Sequence, residues 1–223
     1  MGDRLQLTAS DGHTLSAYRA DATAAPRGHV VVVQEVFGVN DHIRRVCDGY
    51  AALGYTAIAP ALFDRLQPGV ELGYDEAGIT AGRELVGRLG WDAPMLDIAA
   101  AATALHPDGR VGVIGYCWGG TIAWLAACRL EVGAAVAYYG RQIIDFVGER
   151  PHCPLIMHFG GEDPLIPRAT VAAVQAAHPA IPVYVYEGAG HGFNCDARAD
   201  FRPAIATLAQ ERTLAFLATN LRP

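Results

Sequence analysis

A cysteine stands among glycines in the stretch GYCWGG, which spans residues 115–120. The stretch follows the apolar run VGVI and precedes the helical pattern TIAWLAACRL, so it marks a predicted junction of strand and helix. An inert buried thiol needs no flanking glycines, whereas a reactive thiol on a cramped turn does, because neighbouring side chains would clash. The G-x-C-x-G spacing is that of a nucleophile elbow, which presents its central residue at a helix N-terminus. Cys117 is therefore the candidate nucleophile.

An acid and a histidine follow two later apolar runs of the chain. Asp163 comes after PLIMHFG, and His191 comes after PVYVYEG. Ligands of parallel sheets bind beyond the carboxyl ends of the strands, where both groups would meet Cys117. The order thiol, acid, imidazole predicts a triad in which the histidine takes the thiol proton and the acid orients the histidine. A helix cap at Asp163 and a turn role for His191 are the simpler interpretations.

Glu35 is a fourth candidate, at the end of the run VVVVQEV. A carboxylate that follows four valines is expected at a functional site rather than in solvent. The backbone N–H of Trp118, directly after the cysteine, is expected to point at the reacting centre from the helix N-terminus.

Alternating strand and helix patterns position these residues. The stretch LQLTASDGHTLSAYRA predicts a hairpin that turns at Asp11 and Gly12. Strands are predicted at GHVVVVQEV, YTAIAPALF, RVGVIGY, GAAVAYYG, CPLIMHFG and PVYVYEG, with a crossover over residues 141–150. Helices are predicted from Asn40 or Asp41 to Gly54 and over residues 75–89, 93–105, 117–130, 168–178 and 200–218. The alternation predicts an α/β fold with a mostly parallel central sheet, helices on both faces and an antiparallel N-terminal hairpin, in a single domain over residues 1–223.

The composition argues against several classes of protein. The chain has 223 residues, of which 52% are hydrophobic and 18% are charged, and its net charge is −6. This apolar content supports a folded core, and the negative charge argues against nucleic acid and anionic membranes as partners. Five cysteines without a disulfide spacing, and no apolar signal segment or membrane span, predict a cytoplasmic protein with free thiols.

No metal or cofactor is expected from the sequence. Neither a C-x-x-C nor an H-E-x-x-H spacing occurs, and the glycine-rich turn lacks the G-x-G-x-x-G of dinucleotide sites. His158, within an apolar strand, is expected to be a hydrogen-bonded core histidine. Surface positions are expected for His13, His29, His106 and His178.

The same stretches carry a resemblance to a known family. The sequence resembles the dienelactone hydrolase family of the α/β-hydrolase fold, through QEVFGVNDHIRRVCDGYAALGYTAIAP, VGVIGYCWGG, GGEDPLIP, GAGHGFN and ERTLAFL. These segments reach from about Val30 to the last helix. The best-known members of this family open the lactone ring of dienelactone. The resemblance implies a hydrolase of lactones or activated esters with a small-molecule substrate, and we expect a monomer or weak homodimer.

The resemblance also implies a role for each candidate residue. Cys117 would be the nucleophile, His191 its base and Asp163 the group that orients the base. Glu35 would be a carboxylate that contacts the resting thiol. The reaction would pass through a thioester acyl-enzyme.

Backbone and guanidinium groups complete the implied site. The N–H groups of Val36 and Trp118 would form the oxyanion hole. Known members bind the substrate carboxylate with arginines, one of them about four positions after the histidine, where this chain has Cys195. Arg198 and Arg83 are the candidates to replace it. The departure at Cys195 separates this chain from a strict dienelactone site.

Two other functions stay open at this stage. One is a non-catalytic module of the same fold that binds a small ligand. The other is a thiol redox sensor that uses Cys117, with Cys195 as its partner. A sensor has no need of Asp163 and His191 in triad order, which favours the hydrolase.

Overall fold

The computed structural model describes residues 2–105 and 110–221. Its strands are β1 (Asp3–Thr8), β2 (Thr14–Ala20), β3 (Gly28–Val33), β4 (Tyr55–Pro60), β5 (Val111–Tyr116), β6 (Ala134–Tyr138), β7 (Leu155–Gly160) and β8 (Val183–Tyr186). Its α-helices are α1 (Asp41–Ala52), α2 (Glu76–Leu89), α3 (Ala93–Leu105), α4 (Trp118–Arg129), α5 (Arg168–Ala177) and α6 (Pro203–Asn220). Two short 3-10 helices cover Leu62–Arg65 and Arg141–Phe146.

The strands form one eight-stranded sheet in the order β1-β2-β4-β3-β5-β6-β7-β8. The pairs β1–β2 and β2–β4 are antiparallel, and the remaining pairs are parallel. The predicted α/β architecture with an antiparallel start is therefore confirmed. That the chain forms a single domain over residues 1–223 stays a prediction. Among the described residues, no helix combines the length and apolar character that crossing a bilayer requires.

The hairpin turns where the sequence predicts it. Gly12 has φ of 85°, a conformation that glycine adopts without steric cost. The Asp11 carboxylate accepts a hydrogen bond of 3.1 Å from the N–H of His13, which closes the turn. The hairpin then lays β2 against β4 and leaves β1 at the edge of the sheet.

The central strands are buried because helices cover them. All four valines of β3, Val30 to Val33, are fully buried. Helices α1, α3 and α4 pack against β3, β4, β5 and β6, so a continuous apolar run is what these strands need. Helix α1 begins at the predicted cap: the Asn40 side chain accepts the N–H of Ile43 at 3.3 Å.

Three predicted boundaries were wrong by three residues each, and the other differences are smaller. Strand β3 ends at Val33 rather than at Val36, because the chain turns away and the Gln34 side chain accepts the N–H of Leu62 at 3.2 Å. Strand β4 ends at Pro60, and the apolar residues after it enter a 3-10 helix. Helix α6 begins at Pro203 rather than at residue 200, since proline lacks an N–H and suits the first helical position.

Candidate active site

The turn between β5 and α4 leaves no room for side chains beside Cys117. A Cβ atom on Gly115 would lie 1.7 Å from the carbonyl oxygen of Gly119. A Cβ on Gly119 would lie 2.4 Å from the carbonyl oxygen of Gln34, and one on Gly120 would lie 2.4 Å from that of Tyr138. These contacts are with backbone atoms that cannot move aside. The glycines are therefore required for β3, β5 and α4 to approach one another.

Cys117 itself has a strained backbone. Its φ of 55° and ψ of −118° lie outside the regions that residues with a side chain favour. Its N–H donates to the carbonyl oxygen of Tyr138 at 3.0 Å, which ties the strained residue to the end of β6. Trp118 begins α4, so its N–H is one of the helix donors without a partner within the helix.

The three groups expected at the strand ends meet in space. The Sγ atom of Cys117 lies 3.2 Å from Nε2 of His191. The Nδ1 atom of the same ring lies 2.7 Å from an oxygen of Asp163. His191 and Asp163 are both buried, and Cys117 is partly buried. The arrangement is a thiol, an imidazole and a carboxylate joined in line, which can move a proton away from the sulfur.

The charge state of His191 depends on its two neighbours. Burial alone would lower the pKa of its imidazole, because a buried cation loses hydration. The negative charge of Cys117 and the hydrogen bond to Asp163 outweigh this burial and raise the pKa of His191 above its ordinary value. In this geometry the imidazole therefore holds a proton more readily than an ordinary histidine does.

Asp163 fills the orienting role and the turn role together. Its Oδ1 accepts the N–H of Leu165 at 2.8 Å, and its Oδ2 faces His191. The cap-like turn and the triad position are thus not alternatives, because the two carboxylate oxygens serve one each. The turn fixes the direction in which Asp163 faces the histidine.

Glu35 lies beside the site, in the turn that follows β3. Its side chain is 1% exposed, and neither carboxylate oxygen has a hydrogen-bond partner among the described residues. Its Oε1 lies 3.7 Å from a guanidinium nitrogen of Arg198. Within residues 2–105 and 110–221 no hydrogen bond joins Glu35 to Cys117, since the thiol is directed at His191. The structure thus brings the carboxylate near the site but pairs it with the arginine.

The two residues expected to supply the oxyanion hole flank the thiol. Val36 lies in the turn after β3, and Trp118 lies at the N-terminus of α4. Gly82 of α2 packs tightly on this turn, because a Cβ there would lie 2.1 Å from the carbonyl oxygen of Val36. Both residues line the same cavity as Cys117.

A cavity of about 410 Å³ opens above the thiol. Aromatic and aliphatic side chains, Phe37 and Trp91 among them, form much of its wall, and arginines are prominent among its polar groups. Arg83 and Arg198 both line it. Arg141, from the crossover segment, lines it as well, although no pattern in the sequence singled this residue out.

The two candidate arginines differ in burial. Arg83 is exposed, whereas the side chain of Arg198 is only 16% exposed. Burial would lower the pKa of Arg198, but the charges of Glu35 and Cys117 raise it overall. The guanidinium also lies 3.7 Å from Asp200 and 5.9 Å from the ring centre of Phe37. Arg198 is therefore a mostly buried cation at the cavity, and Arg83 is an exposed one at its rim.

Tyr139 belongs to the site and was missed in the sequence. It follows β6, the one strand next to the elbow whose carboxyl end carried no obvious chemical group. Its φ is 39°, its ring centre lies 5.2 Å from that of His191, and its buried hydroxyl has no hydrogen-bond partner among the described residues. The end of GAAVAYYG was the signal that could have found it, because every parallel strand ends at this edge.

The other histidines and cysteines have structural surroundings. His158 is fully buried between the hydroxyls of Tyr186 and Thr213, and burial lowers its pKa to about 3, so the predicted core role is confirmed. Cys195 is buried, and burial raises its pKa to about 12, which disfavours the thiolate that a redox partner needs. Surface positions were expected for four histidines, but His13, His29 and His178 are partly buried. The fourth, His106, lies outside the described residues.

A sharp turn after a central parallel strand, with cysteine, histidine and acid meeting beside it, defines the α/β-hydrolase class. A sequence model of the dienelactone hydrolase family matches residues 15–221. The chain belongs to this family. The expected enzyme class, a hydrolase of carboxylic ester or lactone bonds, is confirmed with it.

Individual relatives agree with this membership. A carboxymethylenebutenolidase from Pseudomonas putida is 35% identical, over 96% of this chain and 95% of its own length. The crystal structure of a Klebsiella pneumoniae protein, provisionally named a dienelactone hydrolase, is 31% identical with a TM-score of 0.85, over 98% of this chain and 99% of the other. A Pyrococcus furiosus esterase shares the fold, with a TM-score of 0.70 at 16% identity, over 99% of this chain and 92% of its own.

Proposed function

We propose that this protein hydrolyses lactones or activated esters with Cys117 as the nucleophile, through a thioester acyl-enzyme. The observation that carries the proposal is the line of contacts from the thiol to His191 at 3.2 Å and from His191 to Asp163 at 2.7 Å. The thiol stands on a strained turn at the floor of a cavity of about 410 Å³. Neither a redox sensor nor a simple binding module would need the line of contacts, the strained turn and the cavity in combination.

The first half of the reaction forms the thioester. His191 holds the proton of the thiol, and the sulfur attacks the carbonyl carbon of the substrate. The carbonyl oxygen takes up the electron pair and is stabilised by the N–H groups of Val36 and Trp118. When the pair returns, the C–O bond of the ester breaks and the imidazolium of His191 protonates the departing oxygen. The alcohol or opened ring end leaves, and the acyl group stays on sulfur.

The second half of the reaction returns the thiol. Acylation removes the negative charge of Cys117, which is a principal cause of the raised pKa of His191. Burial then acts to lower that pKa, so the imidazole gives up its proton and can accept one from water. The resulting hydroxide adds to the thioester carbonyl, the C–S bond breaks, and His191 returns the proton to sulfur. One charge thus switches the histidine from acid to base.

Thiol chemistry sets the substrate class. A thiolate attacks activated carbonyls well, but it is also a good leaving group. An alkoxide or amine of high basicity would therefore lose the competition to leave the tetrahedral intermediate. Enol lactones and aryl esters, whose oxygen leaving groups are weakly basic, suit this site better than amides.

We propose that Glu35 holds the resting thiol in a second rotamer of Cys117 and accepts its proton when substrate enters. Burial at 1% exposure with two oxygens free of hydrogen bonds supports this role, because such a carboxylate can accept a donor. The thiolate then turns to His191, the orientation seen here, and Glu35 passes the proton on to the imidazole. A resting neutral thiol would resist alkylation and oxidation.

We propose that Arg198 binds an acidic group of the substrate. Its side chain lines the cavity, is mostly buried and is held between Glu35 and Asp200. A buried anion needs a charge-assisted partner, and a guanidinium can bind a carboxylate with two hydrogen bonds. Arg83, at the exposed rim, would contribute less.

The arginine proposal is tested by comparing acidic and neutral substrates. Arg198→Ala should raise KM for a lactone carboxylate at least ~10-fold through loss of a charged hydrogen bond, while 4-nitrophenyl acetate is turned over with an unchanged KM. Arg83→Ala is the matched variant and should have the smaller effect on the acid. Equal effects of Arg198→Ala on both substrates would show that it is not a carboxylate clamp.

A hydrolysis screen tests the function itself. We expect turnover of enol lactones and short-chain aryl esters, and much slower turnover of matched amides. Amide hydrolysis as fast as ester hydrolysis would contradict a thiolate mechanism.

The free thiols of all five cysteines support a reducing compartment, and we propose the cytoplasm. The expected monomer or weak homodimer stays a prediction.

A further inference from the structure

A second group of chemically active side chains lies next to the proposed catalytic thiol and takes no part in the triad. One oxygen of Glu35, one ring nitrogen of His42 and the sulfur of Cys195 lie within 4.8 Å of one another. Their exposed fractions are 1%, 4% and 0% respectively. The three residues come from the turn after β3, from α1 and from the segment after His191, and we call them the Glu-His-Cys cluster.

Polar atoms in this cluster lack the partners that buried groups normally have. Both oxygens of Glu35 and Nε2 of His42 have no hydrogen bond within residues 2–105 and 110–221. A buried donor or acceptor without a partner is destabilising, and more so if it is charged. Two such residues side by side point to a missing occupant. A small cation would satisfy both of them.

The histidine is already oriented as a metal ligand. Its Nδ1 lies 2.7 Å from a carboxylate oxygen of Asp196, which leaves Nε2 as the nitrogen that can bind a cation. Metal-binding histidines commonly donate their other N–H to a carboxylate in this way. Asp196 is itself held by Arg45 at 3.0 Å, so the pair is anchored at the protein surface.

We propose that the Glu-His-Cys cluster binds one Zn²⁺ ion through Glu35, Nε2 of His42 and the sulfur of Cys195. A carboxylate, an imidazole and a thiolate form a ligand set that zinc accepts, with water as a fourth ligand. The sulfur makes calcium and magnesium poor occupants, since both prefer oxygen. Binding releases the thiol proton of Cys195 to solvent, and the thiolate then binds the metal.

The surroundings accommodate a cation. Arg198 approaches Oε1 of Glu35 at 3.7 Å, which leaves Oε2 to the ion. A separate cavity of about 300 Å³ between α1 and α6 is lined by His42 and Asp196 and shares no lining residue with the cavity above Cys117, so it offers another approach to the cluster. The proposed ligands stand at positions 35, 42 and 195, so they are too far apart in the sequence to form a recognisable metal-binding motif.

Zinc at this site would act on the reaction as well, a consequence that rests on the proposed function. A metal on Glu35 would withhold that carboxylate from the thiol of Cys117. Zinc is then an inhibitor that acts through Glu35. The binding test below uses protein without Cys117, so it stands whether or not the catalytic proposal does.

The test measures zinc binding by calorimetry in the Cys117→Ala protein, which cannot bind zinc through the catalytic thiol. We expect one zinc chloride site per chain with one proton released. Adding Cys195→Ser should weaken this site at least ~100-fold and abolish the proton release, since a lost ligand should cost no less than the 10–100-fold of a lost outer contact. Adding Cys153→Ser, a partly buried thiol outside the cluster, is the control and should change neither. Cobalt(II) should show thiolate charge-transfer absorption in the control and lose it with Cys195→Ser.

A surface variant guards against loss of folding. Asp196 is 49% exposed in its side chain, so Asp196→Asn should fold normally and weaken zinc ~10-fold through the released His42. The proposal is overturned if the Cys117→Ala protein has no such site, or if zinc binds equally tightly without Cys195. Equal affinity in the Asp196→Asn protein would contradict the proposed orientation of His42 by Asp196.

Discussion

Glu35 is the residue whose removal separates activation of the thiol from the rest of the chemistry. An anion this close to a developing oxyanion should hinder catalysis, because like charges repel strongly in a poorly hydrated site. We expect Glu35→Gln to fold normally, as the change is nearly isosteric, and to slow acylation by 4-nitrophenyl acetate ~10²-fold, as for loss of a general base. Stopped-flow release of nitrophenol measures that step.

The control for this variant is Glu211→Gln, an exposed residue of α6. It should acylate at the wild-type rate. If Glu35→Gln acylates as fast as wild type at every pH tested, Glu35 does not activate the thiol. It would then serve to hold Arg198.

His191 gives a pH prediction with a definite sign. The charge of Cys117 and the hydrogen bond to Asp163 raise its pKa, whereas burial opposes them. Asp163→Asn replaces the carboxylate by a neutral amide, so the pKa of His191 should fall, and its imidazolium should deprotonate at lower pH than in wild type. Titration of the ring by NMR measures this directly. A pKa that stays the same in Asp163→Asn would mean that the carboxylate does not stabilise the imidazolium.

At the scale of elements, the turn between β5 and α4 holds the thiol in place through close backbone packing. Gly119→Ala would set a Cβ 2.4 Å from the carbonyl oxygen of Gln34, so β3 and α4 must separate. We expect a loss of about 1–3 kcal/mol in the free energy of unfolding, as for overpacking elsewhere. We also expect a loss of activity in the protein that remains folded, because Gln34 directly precedes Glu35 and Val36 and a shift of Gln34 would displace both.

A second glycine supplies the comparison for urea unfolding. Gly49 lies inside α1, and a Cβ there would meet no atom within 4 Å. Gly49→Ala should therefore leave stability unchanged or raise it by up to about 1 kcal/mol, because alanine favours helix. A Gly119→Ala protein as stable and active as Gly49→Ala would refute the steric account of the elbow.

At the scale of the whole molecule, the strands and the chemical groups at their ends could be predicted from the sequence. The contacts between residues that are distant in the chain could not. Continuous apolar runs that alternate with helical patterns, together with helix caps such as Asn40, were enough to predict the parallel sheet. Strands that are buried on both faces require such continuous runs. The meeting of Cys117, His191 and Asp163 followed from a rule about parallel strands. The exact end of β3 did not, because it depends on Gln34 reaching Leu62, a contact between distant segments.

Two residues were missed for different reasons. His42 gains its proposed role only from neighbours far away in the chain, so no local spacing marks it. Tyr139 stands at the end of a parallel strand beside His191, a position that could have been examined in the sequence. The sequence shows that Cys195 stands after His191 where known family members have an arginine. It does not show whether another arginine reaches the cavity in its place. Arg198 reaches the cavity because the chain after His191 turns back on itself, with the N–H of Arg198 donating to the carbonyl oxygen of Cys195 at 3.1 Å.

The catalytic proposal as a whole needs no metal, which gives a simple prediction for the intact enzyme. Esterase activity should be unchanged or somewhat higher in EDTA, since the triad uses a thiol, an imidazole and a carboxylate alone. An alkylating agent should abolish activity in the same buffer. Loss of activity in EDTA that zinc restores would contradict the mechanism.

The central claim is that Cys117 carries the acyl group. Intact-mass spectrometry of enzyme quenched in acid during turnover of 4-nitrophenyl acetate should show one added acetyl group, and peptide mapping should place it on Cys117. Cys117→Ala should lack the adduct and lose at least ~10³-fold in kcat, as for removal of other triad nucleophiles. An acetyl group on any other residue, or a Cys117→Ala enzyme with near-normal turnover, would contradict the account.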